Sequence, residues 1–303
     1  MRFSIWPSAN QPWSEVLATA CHAEATGWDG VWIADHFMAA GGAAPAETPT
    51  LEAGSLVAAL GAVVPRVQVG TLVYGTTYRH PAVLANMAVT ADHLSGGRFR
   101  LGIGAGWQVN EHEAYGIDLP PARARVDRFE EAIQVIRSLL HEERTTFAGR
   151  WFRLADALCE PKPVGDLPIL VGTSGDRMLG ITARWADAWN TWGHPDHIAE
   201  RSAALSRACE AAGRDPDDIA RTAQALVFMA GDADGDAAAA ERRAERAPMP
   251  AVGGSVERLR DVVAAYAEAG VDELIVPDRT LGAGAAKLDA MDRYIGQVAA
   301  AFR

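Results

Sequence analysis

Short apolar runs alternate with longer stretches of helical period from one end of this chain to the other. Such alternation implies crossover units, each strand of a parallel sheet being followed by a helix that packs back across it. Residues 2–6 read as a first strand and 13–26 as the first helix. Residues 29–34 (DGVWIA) form a second strand, followed by a Gly/Ala/Pro-rich loop and a helix over about 51–64. The third strand and helix fall at 67–73 and 81–94, with Pro81 suited to a first helical turn, and the fourth strand at 98–104 (RFRLGIG). A helix over 123–143 follows, its apolar positions Phe129, Ile133, Ile136 and Leu140 spaced by three and four. Residues 145–154 alternate like a small hairpin; 167–171, 186–190, 222–229 and 272–276 are strands five to eight, separated by helices near 177–185, 199–212 and 256–269 and closed by one over 285–302.

Eight strands each followed by a helix fit one α/β domain over residues 1–303, a closed (β/α)8 or TIM barrel with insertions after strands four and seven. The rival, a doubly wound open sheet, announces its first turn with a glycine fingerprint, and the first turn here (WPSANQPW) has no glycine. Residues 232–246, alanine-rich and charged, read as a mobile surface segment and not as a linker, since another strand follows them.

A net charge of −11 argues against nucleic acid as a general partner, since phosphate binding needs a concentrated basic surface. The arginines at 123, 125 and 128 suit a solvated helix face better than a cofactor tail. Cys21, Cys159 and Cys209 are far apart, with no CxxC and no His cluster at ligand spacing, so reduced, mostly buried thiols and no metal are expected. No apolar run reaches about eighteen residues, and the amino terminus turns polar after Trp6. A cytoplasmic chain without a membrane anchor is expected.

In a barrel, functional side chains collect just past the strand ends on one rim. Asp35 and His36 follow strand two directly; the histidine is either a packed, hydrogen-bonded rim residue or a proton donor. Past strand three, GTLVYGTTYRHP is either a plain turn or a place where backbone at 71–74 approaches a flat ligand. Strand four ends in GIGAGW, followed by Glu111 and Glu113. That is a weak dinucleotide signal, because no helix opens immediately after it, and the glycines equally relieve crowding at the mouth. Trp107 is a packed core residue or an aromatic wall. Strand five ends in GTSGDR, a glycine-rich turn whose backbone N–H groups at Gly172, Thr173, Ser174 and Gly175 can face an anion, with Arg177 adding charge. Barrel phosphate sites more often follow strands seven and eight. With no Ser/His/Asp order, paired acids or metal box, redox chemistry on an organic cofactor is indicated.

The spans AEATGWDGVWIADHF, TLVYGTTYRHPAVLANMAVTADHLSGGRFRLGIGAGWQVNEHEAYGI, PILVGTSGDRMLGITARWADAWN and VGGSVERLRDVVAAYAEAGVDELIV closely resemble the luciferase-like monooxygenase superfamily, in particular the branch that uses the deazaflavin coenzyme F420. The resemblance runs nearly the whole chain. It implies a cofactor ring stacked in the barrel mouth against a non-proline cis peptide at the end of strand three, by position between Thr71 and Leu72. It implies that His36, beside the ring, assists hydride or proton transfer. Asp35 adjoins it, Asn110 and Glu111 match polar positions near the ring, and Gly172, Thr173, Ser174, Gly175 and Arg177 match the segment that grips the cofactor phosphate. Trp107 stands where sugar-phosphate dehydrogenases of this branch carry an acidic residue, which favours an apolar or aromatic substrate.

The leading expectation is hydride transfer between F420 and a small organic substrate. An FMN-dependent monooxygenase using molecular oxygen is the runner-up, and a noncatalytic cofactor-binding barrel the third reading. A homodimer is expected, as for many related barrels.

Overall fold

Among the residues described by the computed structural model (1–39, 45, 47–231 and 233–303), eight parallel strands close on themselves. In chain order they are Arg2–Trp6, Gly30–Ile33, Gln68–Thr71, Phe99–Gly104, Ile169–Gly172, Ala188–Trp192, Ala220–Gln224 and Glu273–Pro277. Each pairs with the next, and the first pairs with the eighth, so the wall has no open edge. The expected barrel is therefore the observed one.

Helix boundaries follow local chemistry. Trp13–Thr26 stops at Gly27, whose φ of +91° is left-handed and suits glycine. Ala53–Val63 starts where the Glu52 carboxylate accepts the N–H groups of Gly54 and Ser55, and Pro81–Ser95 starts on the expected proline. Ala122–His141 buries Phe129, Ile133, Ile136 and Leu140 as their spacing requires, together with Ala132, Val135 and Leu139. Each such large apolar side chain contributes about 1.5–3 kcal/mol of burial.

Both insertions are present. After strand four come Val109–Tyr115, the Ala122–His141 helix and an antiparallel hairpin of Thr145–Ala148 with Arg153–Ala157. No helix opens immediately after GIGAG, as expected; the chain turns at Gly106, φ +83°, and the short helix Val109–Tyr115, which the sequence reading did not announce, begins three residues later.

After strand seven the sequence reading needs two corrections. The apolar run 222–229 is not one strand: Ala220–Gln224 stays in the barrel, while Leu226–Met229 leaves it and pairs in parallel with Ala251–Gly254, a strand the Gly/Ala/Pro-rich sequence did not announce. Continuous apolar character reports burial without reporting which sheet does the burying. Asp236–Glu245, expected to be a mobile surface segment, is a helix; its alanines favour the helical backbone. The packing needs a small partner, because a Cβ on Gly253 would lie 2.4 Å from the Ala240 carbonyl oxygen. Asp232 and part of the loop after strand two (40–44 and 46) lie outside the described residues.

The barrel interior is filled by Trp32, Leu72, Leu170 and Ile275, with Trp6, Val73 and Ala188 packed against them. Below this layer, Glu273 is buried but satisfied: it accepts from Ser4 Oγ (2.6 Å) and Trp32 Nε1 (2.8 Å), and pairs with Arg2 at 3.2 Å. The interior is thus packed at the amino-terminal end, leaving chemistry to the carboxyl-terminal mouth. Among the described residues, no helix is long and apolar enough to cross a membrane, and no cluster of His, Cys, Asp and Glu could hold a metal ion. Cys159 and Cys209 are buried and Cys21 is exposed.

Candidate active site

Strand three carries an irregularity at the mouth. Gly70 pairs with Arg100 and Tyr74 with Ile103, so four steps along one strand match three along the other, a β-bulge of one residue. The non-proline cis peptide joins Leu72 and Val73, not Thr71 and Leu72. The ladder explains the correction: Leu72 N–H still donates to the Ile33 carbonyl at 2.8 Å, so regular pairing ends only after Leu72.

Thr71 is fully buried, its hydroxyl donating to the Gly102 carbonyl (2.8 Å) and accepting the Gly102 N–H (3.0 Å). Leu72 belongs to the interior packing, and the neighbouring Val73 is the partly exposed side chain of the bulge. Val73 sits where three neighbours lack side chains. A Cβ on Gly102, Gly104 or Gly172 would come within 3.0, 2.8 or 3.0 Å of its methyl groups. The glycines of GIGAG and GTSG therefore make room for the bulge.

His36 is held from behind by Glu111. Its Nδ1 lies 2.8 Å from Glu111 Oε1, while Oε2 accepts the N–H groups of Phe37 (2.7 Å) and Met38 (3.2 Å). The Tyr78 hydroxyl also donates to Oε1. Burial alone would raise the Glu111 pKa; the hydrogen bonds from His36, Tyr78 and Phe37 outweigh it and hold the carboxyl below its ordinary value. Burial, reinforced by the Glu111 bond, pushes the Tyr78 phenol well up, so it stays a donor. With a carboxylate on Nδ1, that nitrogen carries the proton, and Nε2 is the ring atom free to exchange one. Tyr78 stacks on His112 (4.5 Å), whose two nitrogens meet the Gln108 carbonyl and the Thr77 hydroxyl.

Asp35 serves the loop after strand three. Both its oxygens meet Arg79, at 2.7 and 3.0 Å, and Oδ2 also accepts the Gly75 N–H at 2.9 Å. Arg79 continues to Glu52 at 2.6 Å and lies over the Tyr74 ring at 4.9 Å. Asp35 is thereby committed inside the protein, one residue away from the imidazole that faces the mouth.

Trp107 is 62% exposed and meets the His36 ring edge-on at 5.4 Å, so it is not a core residue. Asn110 Nδ2 donates to the Ala39 carbonyl at 3.2 Å, alongside Gln108 Nε2 on the Met38 carbonyl at 3.1 Å. Asn110 Oδ1 is buried without a partner.

Past strand five, the Thr173 N–H is taken by the Asn190 carbonyl and the Gly175 N–H by the Thr173 hydroxyl. The remaining donors are Ser174 and the first turn of the helix Asp176–Trp185, whose leading N–H groups have no partner within the helix. Arg177 turns away to pair with Asp127 and to donate to the Arg123 carbonyl at 3.3 Å. The structure thus brings His36, Trp107, Val73 and Gly172 to one mouth, and places Asp35, Thr71 and Leu72 behind it. Tyr78, Arg79 and Glu52 were missed by sequence reasoning; the hydroxyl-rich TTYRH segment was the available signal, but its partners lie far away in sequence.

Residues 1–253 match the luciferase-like monooxygenase family. The F420-dependent glucose-6-phosphate dehydrogenase of Microbacterium testaceum is 34% identical over 72% of this chain and 66% of its own length. The F420-dependent hydroxymycolic acid dehydrogenase of Mycobacterium tuberculosis is 31% identical over 76% of this chain and 62% of its own. The chain spans 51–66% of the length of the curated glucose-6-phosphate dehydrogenases it matches first. An F420-dependent secondary alcohol dehydrogenase, solved with an F420–acetone adduct, superposes over the full length of both chains with a TM-score of 0.83 at 20% identity. A long-chain alkane monooxygenase superposes over 99% of this chain and 90% of its own, with a TM-score of 0.80 at 13% identity.

Proposed function

The chain belongs to the luciferase-like monooxygenase family, and from that premise we propose that it is an oxidoreductase transferring a hydride between coenzyme F420 and a small organic substrate at the barrel mouth. The observation that carries this reading is the His36 imidazole, fixed through Nδ1 by a buried carboxylate with Nε2 left for exchange. The names of the relatives at 31% and 34% identity support F420 over FMN.

The donor set fits such a cofactor. Val73 offers an apolar support for a planar ring, and the orphaned Asn110 Oδ1 is an acceptor for a ring or side-chain donor. Ser174 and the first turn of Asp176–Trp185 offer N–H groups to a phosphate. Gly172, Thr173 and Gly175 shape that turn, while Arg177 keeps its ion pair with Asp127. When bound, F420 supplies a carbon centre that gives or takes a hydride.

The protein's part is position and proton transfer. In alcohol oxidation, His36 Nε2 takes the hydroxyl proton while the hydride leaves carbon; in carbonyl reduction the protonated ring returns it. Glu111 keeps the ring oriented through Nδ1. Trp107 gives the open side an aromatic face suited to an apolar substrate. Within this proposal the chain works as a cytoplasmic homodimer, which sedimentation of the purified protein checks.

Anaerobic titration with F420 and with FMN tests the cofactor. Saturable quenching of deazaflavin fluorescence is expected; tight binding of FMN alone moves the chain to the monooxygenase reading.

A further inference from the structure

Half-way round the barrel from strand two, the end of strand six carries Trp192. Ala188 packs in the interior layer, and residues two apart share a face, so Asn190 and Trp192 also face inward. Trp192 lies 5.8 Å from Trp6 at the end of strand one, and the guanidinium of Arg279 covers both indoles, at 5.5 Å from Trp6 and 5.9 Å from Trp192. Arg279 is exposed, and among the described residues no carboxylate forms a direct ion pair with it; Asp278 acts on it only through space.

Its neighbour Asp278 is otherwise engaged. Oδ1 accepts the Ser8 N–H at 2.9 Å, and Oδ2 accepts Gln11 Nε2 and the buried Lys287 ammonium, each at 3.0 Å. These contacts fix the backbone from which Arg279 projects, and they leave Asp278 acting on its charge only through space, without a direct ion pair. A second unpaired group lies beside the same indole. Gln224 pairs in register with Trp192, is 5% exposed, and spends Nε2 on Asn190 Oδ1; its Oε1 is buried without a donor. A buried acceptor left bare is costly unless something fills it.

We propose that the substrate is a carboxylate on a planar unsaturated skeleton, with the carboxylate on Arg279 and the skeleton against Trp6 and Trp192. Gln224 Oε1 then takes a hydroxyl or N–H carried on that skeleton. A guanidinium fork matches a carboxylate bidentately, and its stacking on indoles fixes the fork's plane. The role of this group as a substrate rests on the hydride-transfer reading above; its recognition by charge does not.

The test is calorimetric titration of the full chain with trans-cinnamate and with its uncharged amide, without cofactor. The acid should bind about tenfold tighter than the amide, and R279Q should abolish the difference. Rising salt should weaken the acid alone, because only the acid brings a charge to the guanidinium. Equal affinities of acid and amide in the native chain, or unchanged acid affinity in R279Q, overturn the proposal; the native comparison decides even where the variant folds poorly. A parallel F420 titration separates the two readings. Loss of F420 affinity in R279Q assigns the guanidinium to the cofactor and overturns the proposal, whereas failure of the native chain to bind F420 sinks the hydride-transfer reading and leaves the acid–amide comparison to decide on Arg279.

Discussion

His36 Nδ1 and Glu111 Oε1 stand 2.8 Å apart, joining the end of strand two to the short helix after strand four. The bond leaves one ring nitrogen for chemistry. Replacing His36 by Asn is expected to lower turnover by about 10²-fold, with F420 affinity largely kept. Steady-state kinetics beside a fluorescence titration check this; equal turnover in the two proteins removes the catalytic role.

Glu111 also holds the loop that carries His36. Substituting Gln removes a charge that accepts four hydrogen bonds and is expected to cost about 1–3 kcal/mol by denaturant unfolding. Because the folded-state pKa is depressed, the carboxylate's contribution is complete above the ordinary value of 4.5 and is lost as the pH falls through the lower folded value. The stability gap between native chain and E111Q should therefore close below pH 4.5. A gap that persists unchanged into acid would show that the charge contributes nothing.

Asp35 and Arg79 form a buried two-pronged pair. Breaking it with R79M leaves a carboxylate stranded, and a loss of about 3–5 kcal/mol is expected. D35N should cost less, since the amide keeps an acceptor for the Gly75 N–H. Comparable losses in the two would contradict the view that the stranded charge dominates.

The glycines at the mouth divide into two kinds. A Cβ on Gly102 would sit 1.9 Å from the Thr71 carbonyl oxygen, a backbone atom with nowhere to go, while one on Gly175 meets nothing within 4 Å. G102A should fail to fold or lose more than about 3 kcal/mol, and G175A should unfold within about 0.5 kcal/mol of the native chain. Thermal melts of both distinguish the steric account from a general requirement for flexible glycine.

Much of this was legible in the sequence because strand and helix periods are local properties. Ala122–His141 shows its buried face through residues three and four apart, and strands such as Gly30–Ile33 and Ile169–Gly172 appear as apolar runs, whereas Ala220–Gln224 (ARTAQ) does not. Partner choice is not local. Residues 222–229 look the same whether they stay in one wall or divide between two sheets. The same holds for the site: His36 was visible at a strand end, but its partner lies 75 positions on, and Arg279 meets Trp6 from the far end of the chain. The chemical type of a residue is printed in the sequence, whereas the contact that gives it a task is created by closure of the barrel.

The bulge in strand three has one further effect. Leu72 and Val73 both belong to the interior packing although they are consecutive, so from Tyr74 onward the in–out alternation of that strand runs in the opposite phase. Tyr74 therefore pairs with Ile103 on the outer face and reaches helix Ala53–Val63, where its hydroxyl approaches Gly54. Excising a single residue at this point would reset the phase, swing the tyrosine from the helix layer into the cavity, and unseat the Arg79 that rests on its ring. The size of the mouth and the anchoring of its neighbouring loop are thus set together by one surplus residue.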